Sequence, residues 1–469
     1  MSGDNFMQNG DVSLTTLMAE YCSTVIDHPL PREIAVKARL HLLDTLAAMI
    51  SGAQLRAGKK AVAFIQHQGG DEQAGIPGTA MATNAVNAAF AGAMAAHADE
   101  TDDSHLGGRF HPGCAVIPAA LAVGELKSRN GPELLRAIAA GYDIGARSTM
   151  ALGFSTPRSG THSTHCLGAN FGAAASAGVM VGLDAVAFEY LLSYTAQQAS
   201  GIAYWQRDSE HVEKAFDFGG MGARNGVFGA LFVESGASGV TGSLTGEPSY
   251  LSAFAENAKP VALIDGLGER FEIMAASIKK WCVGSPIQAA LDSITALIDE
   301  HQITPETISN VRAILPDDRF VIVDDRDMPD VCLQHLIALA LVDGGITFAS
   351  SHDIARMQDP AVLATRKKIE AIPSPELTLA KPARQAIIEV DMIDGRSFRH
   401  HTRAVLGTPD NPMSESEVEA KAKDLILPIL GVKKTGALIE AVRTIEALDD
   451  VNKLRSLWTP ESRTPVQGI

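Results

Sequence analysis

The spacing of apolar residues changes character once along this chain, near residue 266. Before that point apolar positions recur three or four residues apart, and Gly, Pro and Asn punctuate the runs. A helix is predicted to start near Ser13, through LTTLMAEYC, and another after Pro31, through IAVKARLHLLDTLAAMISGA. TNAVNAAFAGAMAAHA predicts a helix of small residues, and more helices are expected at 116–128, 132–151, 169–182, 184–200 and 219–236. Beyond residue 266, SNVRAILPDD and QAIIEVDMIDGRSFRHHTRAV alternate apolar and polar residues, the second with an Asp-Gly turn, so both read as strands. Helices at 285–300 and 331–343 lie between them, and helical spacing returns at 415–430 and 434–448.

The expected fold is mainly α. A large helical domain of discontinuous sequence, 13–266 and 409–458, carries a smaller inserted α+β domain, 267–408. Residues 1–12 read as a flexible leader and 459–469 as a C-terminal tail.

Composition narrows this further. Of 469 residues 46% are hydrophobic and 5% aromatic, which suits a large core of closely packed helices built on small residues. A net charge of -16, with no Lys/Arg cluster to offset it, argues against a nucleic-acid partner. An acidic substrate would need basic groups that are local to a pocket. Five cysteines, widely spaced and without a CxxC pair, argue against a disulfide framework or a structural zinc site, and favour a reducing, cytoplasmic setting. The polar, acidic N-terminus does not read as a signal peptide, and no apolar run reaches membrane-spanning length.

Four segments place polar chemistry among apolar helices. The densest runs from His97 through Glu100, Asp102, Asp103 and Ser104 to His105, followed by His111-Pro-Gly. It could be a solvated helix end, or a divalent-metal site, although no established ligand spacing appears. Between two apolar helices, however, such a knot must be hydrogen-bonded or functional. The second segment holds Ser159, His162 and His165, just before a small-residue helix whose N-terminal dipole favours a neutral imidazole; one of these histidines could simply cap it. The third places Lys214 after His211 and before a glycine-rich run, where it could orient a carboxylate, while the glycines could serve packing alone. The fourth holds Lys279, Lys280 and Cys282; ordinary surface charge and a buried thiol are the plain alternatives.

In this order, the four segments resemble the MmgE/PrpD family over nearly the whole chain. The family's H-x-x-[DE]-x-D-D-[ST]-H knot falls on His97, Glu100, Asp102, Asp103, Ser104 and His105, with His111 after it. Its second histidine falls on His162, its lysine before G-x-x-A-x-x-G on Lys214, and its I-K-x-[WY] lysine on Lys279. The resemblance implies a helical domain with an α+β lid domain, usually as a homodimer. It also implies a site between the two without metal or organic cofactor, and a small di- or tricarboxylate substrate. The chain departs from the pattern at Glu100 and Ser104, where some members carry Asp and Thr. Thr161 stands where an aromatic often precedes the second histidine, and His335 stands where a lid tyrosine is expected. The last departure weighs most against decarboxylation of cis-aconitate.

Proton abstraction beside a carboxylate needs fixed cations and a neutral base. Lys214 and Lys279 suit the first role, His111 or His162 the second, and the second histidine or Glu100 could supply an acid. His97, Glu100, Asp103, Ser104, His105, Lys280 and His335 are the expected substrate-binding groups. A hydro-lyase of the 2-methylcitrate dehydratase kind is the leading expectation. Epimerisation of a dicarboxylate such as iminodisuccinate, cis-aconitate-type decarboxylation, and a non-catalytic binding protein on the same scaffold are the alternatives.

Overall fold

A computed structural model describes residues 13–154 and 161–461, with Gln206 described by its backbone alone. The leader expected over 1–12, Ser159 and most of the tail lie outside the described residues. The fold is mainly α, with about 60% of residues helical and 9% in strands. The chain divides into two compact units. The first comprises the chain to Ala98, Asp103–Ala276 and the chain from Ile426; the second comprises Asp99–Asp102 and Ser277–Leu425. These divisions fall at residues 277 and 425, where the pattern places them at 267 and 408, and four residues of the acidic knot group with the second unit.

The first unit is built of helices whose starts the sequence marks with side-chain caps. Ser13 accepts from the Thr16 N–H ahead of Leu14–Thr24, Asn84 caps Ala85–Ala96, Asn130 forms a capping box with Glu133 ahead of Gly131–Met150, and Asp184 caps Ala185–Gln197. Each such cap satisfies an orphan N–H and is worth about 1 kcal/mol. Helix Thr164–Val181, THCLGANFGAAASAGVMV, is apolar all round and almost wholly buried, so it takes the centre. Helices Gly131–Met150, Met221–Glu234 and Gly113–Leu126 pack around it. One helix, Arg56–Gln68, was not expected from the pattern; it buries only a narrow stripe of Ala57, Gly58, Ala61 and Ile65.

The second unit holds a four-stranded sheet. Its strands in chain order are β1 (Ile308–Pro316), β2 (Ile369–Ser374), β3 (Ala386–Met392) and β4 (Ser397–Thr402), and their order across the sheet is β2-β1-β3-β4. β3 and β4 form the hairpin expected around the Asp-Gly turn, with Gly395 at φ 88°. β1 pairs antiparallel with β3 and parallel with β2. Val311, Ala313 and Leu315 of β1 and Ile388 and Val390 of β3 share a core with Leu291 and Ile294 of helix Gln288–His301 and with Leu336 and Ala340 of helix Leu333–Asp343. The expected return of helix is a stretch over Glu415–Arg443, broken at Gly431, where φ is 73°.

Candidate active site

In the first unit, three imidazoles meet one phenyl ring, and a fourth meets one of the three. His97 ends helix Ala85–Ala96, and its ring lies 4.4 Å from that of Phe218, centre to centre. His111 lies 5.0 Å from His97 and 5.2 Å from Phe218, and His211 lies 5.2 Å from His97. His165, in the first turn of the central helix, stacks on Phe218 at 3.7 Å and sits 5.4 Å from His111. The Lys214 ammonium lies 5.2 Å from the centre of the Phe218 ring and 5.5 Å from that of Trp205. Aromatic faces attract a cation, so this packing helps to hold the ammonium in place.

Local backbone explains how Phe218 comes to the centre. Val212–Ala215 is a single helical turn, and Phe216–Gly220 continues it as a π-helical turn before helix Met221–Glu234. Such one-turn insertions re-aim side chains and recur at functional sites. His211, just ahead, is left-handed at φ 57° and ψ 21°, which costs a residue with a Cβ conformational energy. The Lys214 N–H is satisfied by Asp208 Oδ2 at 2.9 Å.

His111 is placed by a buried carboxylate. Asp103 accepts from the Gly113 N–H at 2.8 Å, from Tyr142 Oη at 2.5 Å and pairs with His41 Nδ1 at 2.7 Å. A Cβ on Gly113 would stand 2.9 Å from Asp103 Oδ1 and 2.6 Å from Thr45 Oγ1, so only glycine lets the helix start this close. Burial, and then the Asp103 charge, raise the Tyr142 phenol well above its usual range, so it stays a donor. Asp103 thus holds the His111-Pro112-Gly113 start. Neither Tyr142 nor His41 was singled out from the sequence.

His105 is likewise engaged internally. Its Nδ1 accepts from the Gly108 N–H at 2.8 Å and its Nε2 lies 3.4 Å from Glu272. Burial would raise the Glu272 carboxyl, but His105, Arg270 and Arg147 together hold it below its ordinary value. Ser104 is buried beside it in the chain. His162 pairs with Ile202 in a backbone bridge, and its ring faces Phe254 at 5.9 Å rather than Phe218. The helical offset of three residues puts His165 on Phe218 instead.

The second unit gathers the remaining residues. Lys279, 4% exposed, donates to the Glu100 carbonyl at 2.8 Å and lies 3.5 Å from the Glu100 carboxylate and 3.7 Å from Asp102. Lys421 donates to the Thr101 carbonyl at 2.8 Å, and His352 Nε2 lies 2.8 Å from Asp99. Burial alone would lower His352, but Asp99 outweighs it and raises it to about 9; Asp330, pushed up to about 6 by burial, adds to the effect. Lys280 rests on the Trp281 ring at 4.4 Å. His335 is fully buried in helix Leu333–Asp343, and burial together with Arg366 and Arg356 pushes it down to about 4, so it is neutral at physiological pH.

Chemically, the first unit offers imidazoles, which exchange protons near neutrality, next to an ammonium that can face a carboxylate. His97 also brings a ring nitrogen within 4.8 Å of the Cys114 sulfur and of a His211 nitrogen, donor types a transition metal accepts. All five cysteines are buried. Among the described residues no helix is long and apolar enough to cross a membrane.

Comparison with known proteins bears on the same residues. The MmgE/PrpD N-terminal domain matches residues 16–262, which span the histidine cage and Lys214, and the MmgE/PrpD C-terminal domain matches 281–447. A cis-aconitate decarboxylase of Aspergillus terreus is 22% identical over 98% of both chains. A cis-aconitate decarboxylase-like protein of Aspergillus oryzae is 23% identical over 94% of this chain and 97% of its own. The Homo sapiens cis-aconitate decarboxylase is 24% identical over 79% of this chain and 78% of its own.

Proposed function

Because this chain belongs to the MmgE/PrpD family, we propose that it is a cofactor-independent lyase acting on a small di- or tricarboxylate by proton transfer at the carbon beside a carboxylate. The observation that carries this reading is the cage of His97, His111 and His165 around Phe218, with His211 against His97 and the Lys214 ammonium at its edge. A carbanion next to a carboxylate carries extra negative charge, and an ammonium in apolar surroundings stabilises it more than water does. His111 and His162 remain the proposed base and acid, with His165 added by its place on Phe218. Lys214 and Lys279 are the proposed catalytic lysines.

The relatives reorder the possible reactions. All three are named for decarboxylation, so loss of CO2 from a cis-aconitate-like tricarboxylate is the first reaction to test. In that step the C–C bond breaks, CO2 leaves, the electron pair stays on carbon conjugated with a remaining carboxylate, and an imidazolium returns a proton to carbon. Dehydration of a 2-hydroxy polycarboxylate is the second reading. It is favoured by His335, which stands where relatives often carry tyrosine and is buried and neutral here. There a base takes the carbon-bound proton and the hydroxyl leaves with a second proton as water.

NMR of 13C-labelled cis-aconitate and a panel of 2-hydroxy tricarboxylates, run in deuterated buffer, tests the proposal. Expected is an unsaturated dicarboxylate plus CO2, or an unsaturated tricarboxylate plus water, abolished in His111→Ala. Deuterium wash-in without net product would make the protein an epimerase, and binding without any exchange would make it a non-catalytic receptor; either outcome overturns the lyase reading.

We also propose a homodimer, as the family resemblance implies, and a reducing, cytoplasmic setting, as the five widely spaced cysteines suggest. The stacked rings of Phe228 and Phe232, 49% and 41% exposed, give the first unit an apolar stripe that a second copy would cover. Light scattering at a monomer mass would count against this.

A further inference from the structure

Two adjacent contacts join the start of the central helix to the π-helical turn. His165 lies on Phe218, and beside that stack Ser163 Oγ donates a hydrogen bond to Asp217 Oδ2. Ser163 is also the N-cap of helix Thr164–Val181, its oxygen accepting from the Cys166 N–H at 3.5 Å. A third segment closes on the pair. The Ser163 N–H donates to the Gly201 carbonyl at 3.1 Å. A Cβ at Gly201 would lie 3.2 Å from Asp217 Oδ1 and 2.7 Å from Cys166 Cβ, and its φ of +125° admits few side chains. Asp217 therefore sits where three segments meet, on the π-helical turn that follows the one carrying Lys214, and the proton transfers above leave its carboxyl unused.

From this convergence we infer that Asp217 is a positioning residue which, bonded to Ser163, locks the π-helical turn bearing Phe218 to the helix start bearing His165 and so sets the geometry of the imidazole cage. The inference rests on the reading of that cage as the reaction centre.

Its electrostatics agree. Burial pushes Asp217 up to about 7, Glu213 on the preceding turn pushes the same way, and the Ser163 hydrogen bond pulls it down. The other titratable groups packed against it are the Cys166 thiol of the central helix, itself raised by burial and by Asp217, and Arg224 of helix Met221–Glu234, which acts on Cys166 in the opposite sense. Gly201–Ala203 brings no titratable side chain. Raising the pH through neutrality removes the proton and leaves a carboxylate in apolar surroundings, which strains the packing around Asp217 even as it strengthens the Ser163 hydrogen bond.

Infrared difference spectra of the intact protein across the neutral range test the inference without substrate. A carboxylic-acid carbonyl band is expected to titrate near neutrality and to be missing in Asp217→Asn. In Ser163→Ala the same band should titrate at higher pH, because the hydrogen bond that lowers it is gone; this variant serves even where Asp217→Asn folds poorly. In turnover, Asp217→Asn, which mimics the protonated acid, is expected to flatten the alkaline limb of kcat. Asp217→Ala is expected to lower kcat by roughly 10²-fold through misplacement, with a smaller effect on KM. Turnover without a neutral-range band, a band that survives in Asp217→Asn, or an Asp217→Asn profile identical to wild type would overturn the inference alone. Absence of turnover on the whole panel would remove the lyase reading and this inference with it.

Discussion

The His165 imidazole lies flat on the Phe218 ring, 3.7 Å between centres and 7° from parallel. The same phenyl ring meets His97 at 4.4 Å and supports the Lys214 ammonium at 5.2 Å. One apolar side chain therefore sets the spacing of two proton-exchanging groups and one cation.

Phe218→Leu is expected to keep most of the apolar filling while losing the stack. Aromatic stacking is worth about 0.5–1.5 kcal/mol, so kcat should fall up to about tenfold. Phe218→Ala removes the filling too and should cost about 3–5 kcal/mol in urea unfolding. An unchanged kcat in Phe218→Leu would show that the stack does not place the imidazole.

Tyr142→Phe deletes one of the donors that satisfy Asp103. Leaving a buried acceptor short costs roughly 1–3 kcal/mol. His41→Ala acts on the same carboxylate, so the double variant should depart from additivity. A double-mutant cycle in urea that comes out additive would mean the two groups act separately.

The ion pair of His352 with Asp99 makes stability depend on pH. The folded pKa of His352, about 9, lies above its ordinary 6.5. The protonated form is therefore favoured by folding, and the stabilisation is complete below about pH 6.5 and lost as pH rises to about 9. Its size is on the order of 3 kcal/mol. Unfolding free energies measured across that window should decline in the wild type and decline less in His352→Gln; parallel curves would remove the assignment.

The two proposed catalytic lysines should differ in what their loss costs stability. Lys214 is half-buried on aromatic faces, so Lys214→Met is expected to change stability by only about 0.5 kcal/mol while abolishing turnover. Lys279→Met leaves the buried carboxylates of Glu100 and Asp102 without their ammonium and should cost roughly 3–5 kcal/mol. Thermal melts and initial rates on both variants decide it.

Much of the fold was legible because local chemistry spelled it out. Ser13 caps where a cap residue precedes an apolar repeat, and the Asp-Gly turn makes its hairpin. Helix Arg56–Gln68 was silent because its buried stripe is mostly Ala and Gly, which carry little periodic signal. Strand β2 was silent because it is short, contains Pro373, and pairs parallel at the sheet edge with a strand far away in sequence. At the site, the segments showed residue types but not directions. His162 and His165 lie on one short stretch, and only the helix start decides which ring meets Phe218. Asp103 sits in the acidic knot, yet its partners Tyr142 and His41 are distant in sequence. The π-helical turn adds one residue to a helical repeat, a change that apolar spacing absorbs without trace.

The left-handed backbone at His211 limits what a protein engineer can install there. Val or Ile would clash with their own main chain, so loss of function in such variants would report distortion as much as the missing ring. Asn tolerates the same dihedrals and Gly adopts them freely. Those two replacements subtract the imidazole while keeping the turn's path, and they are the informative probes of what that ring contributes.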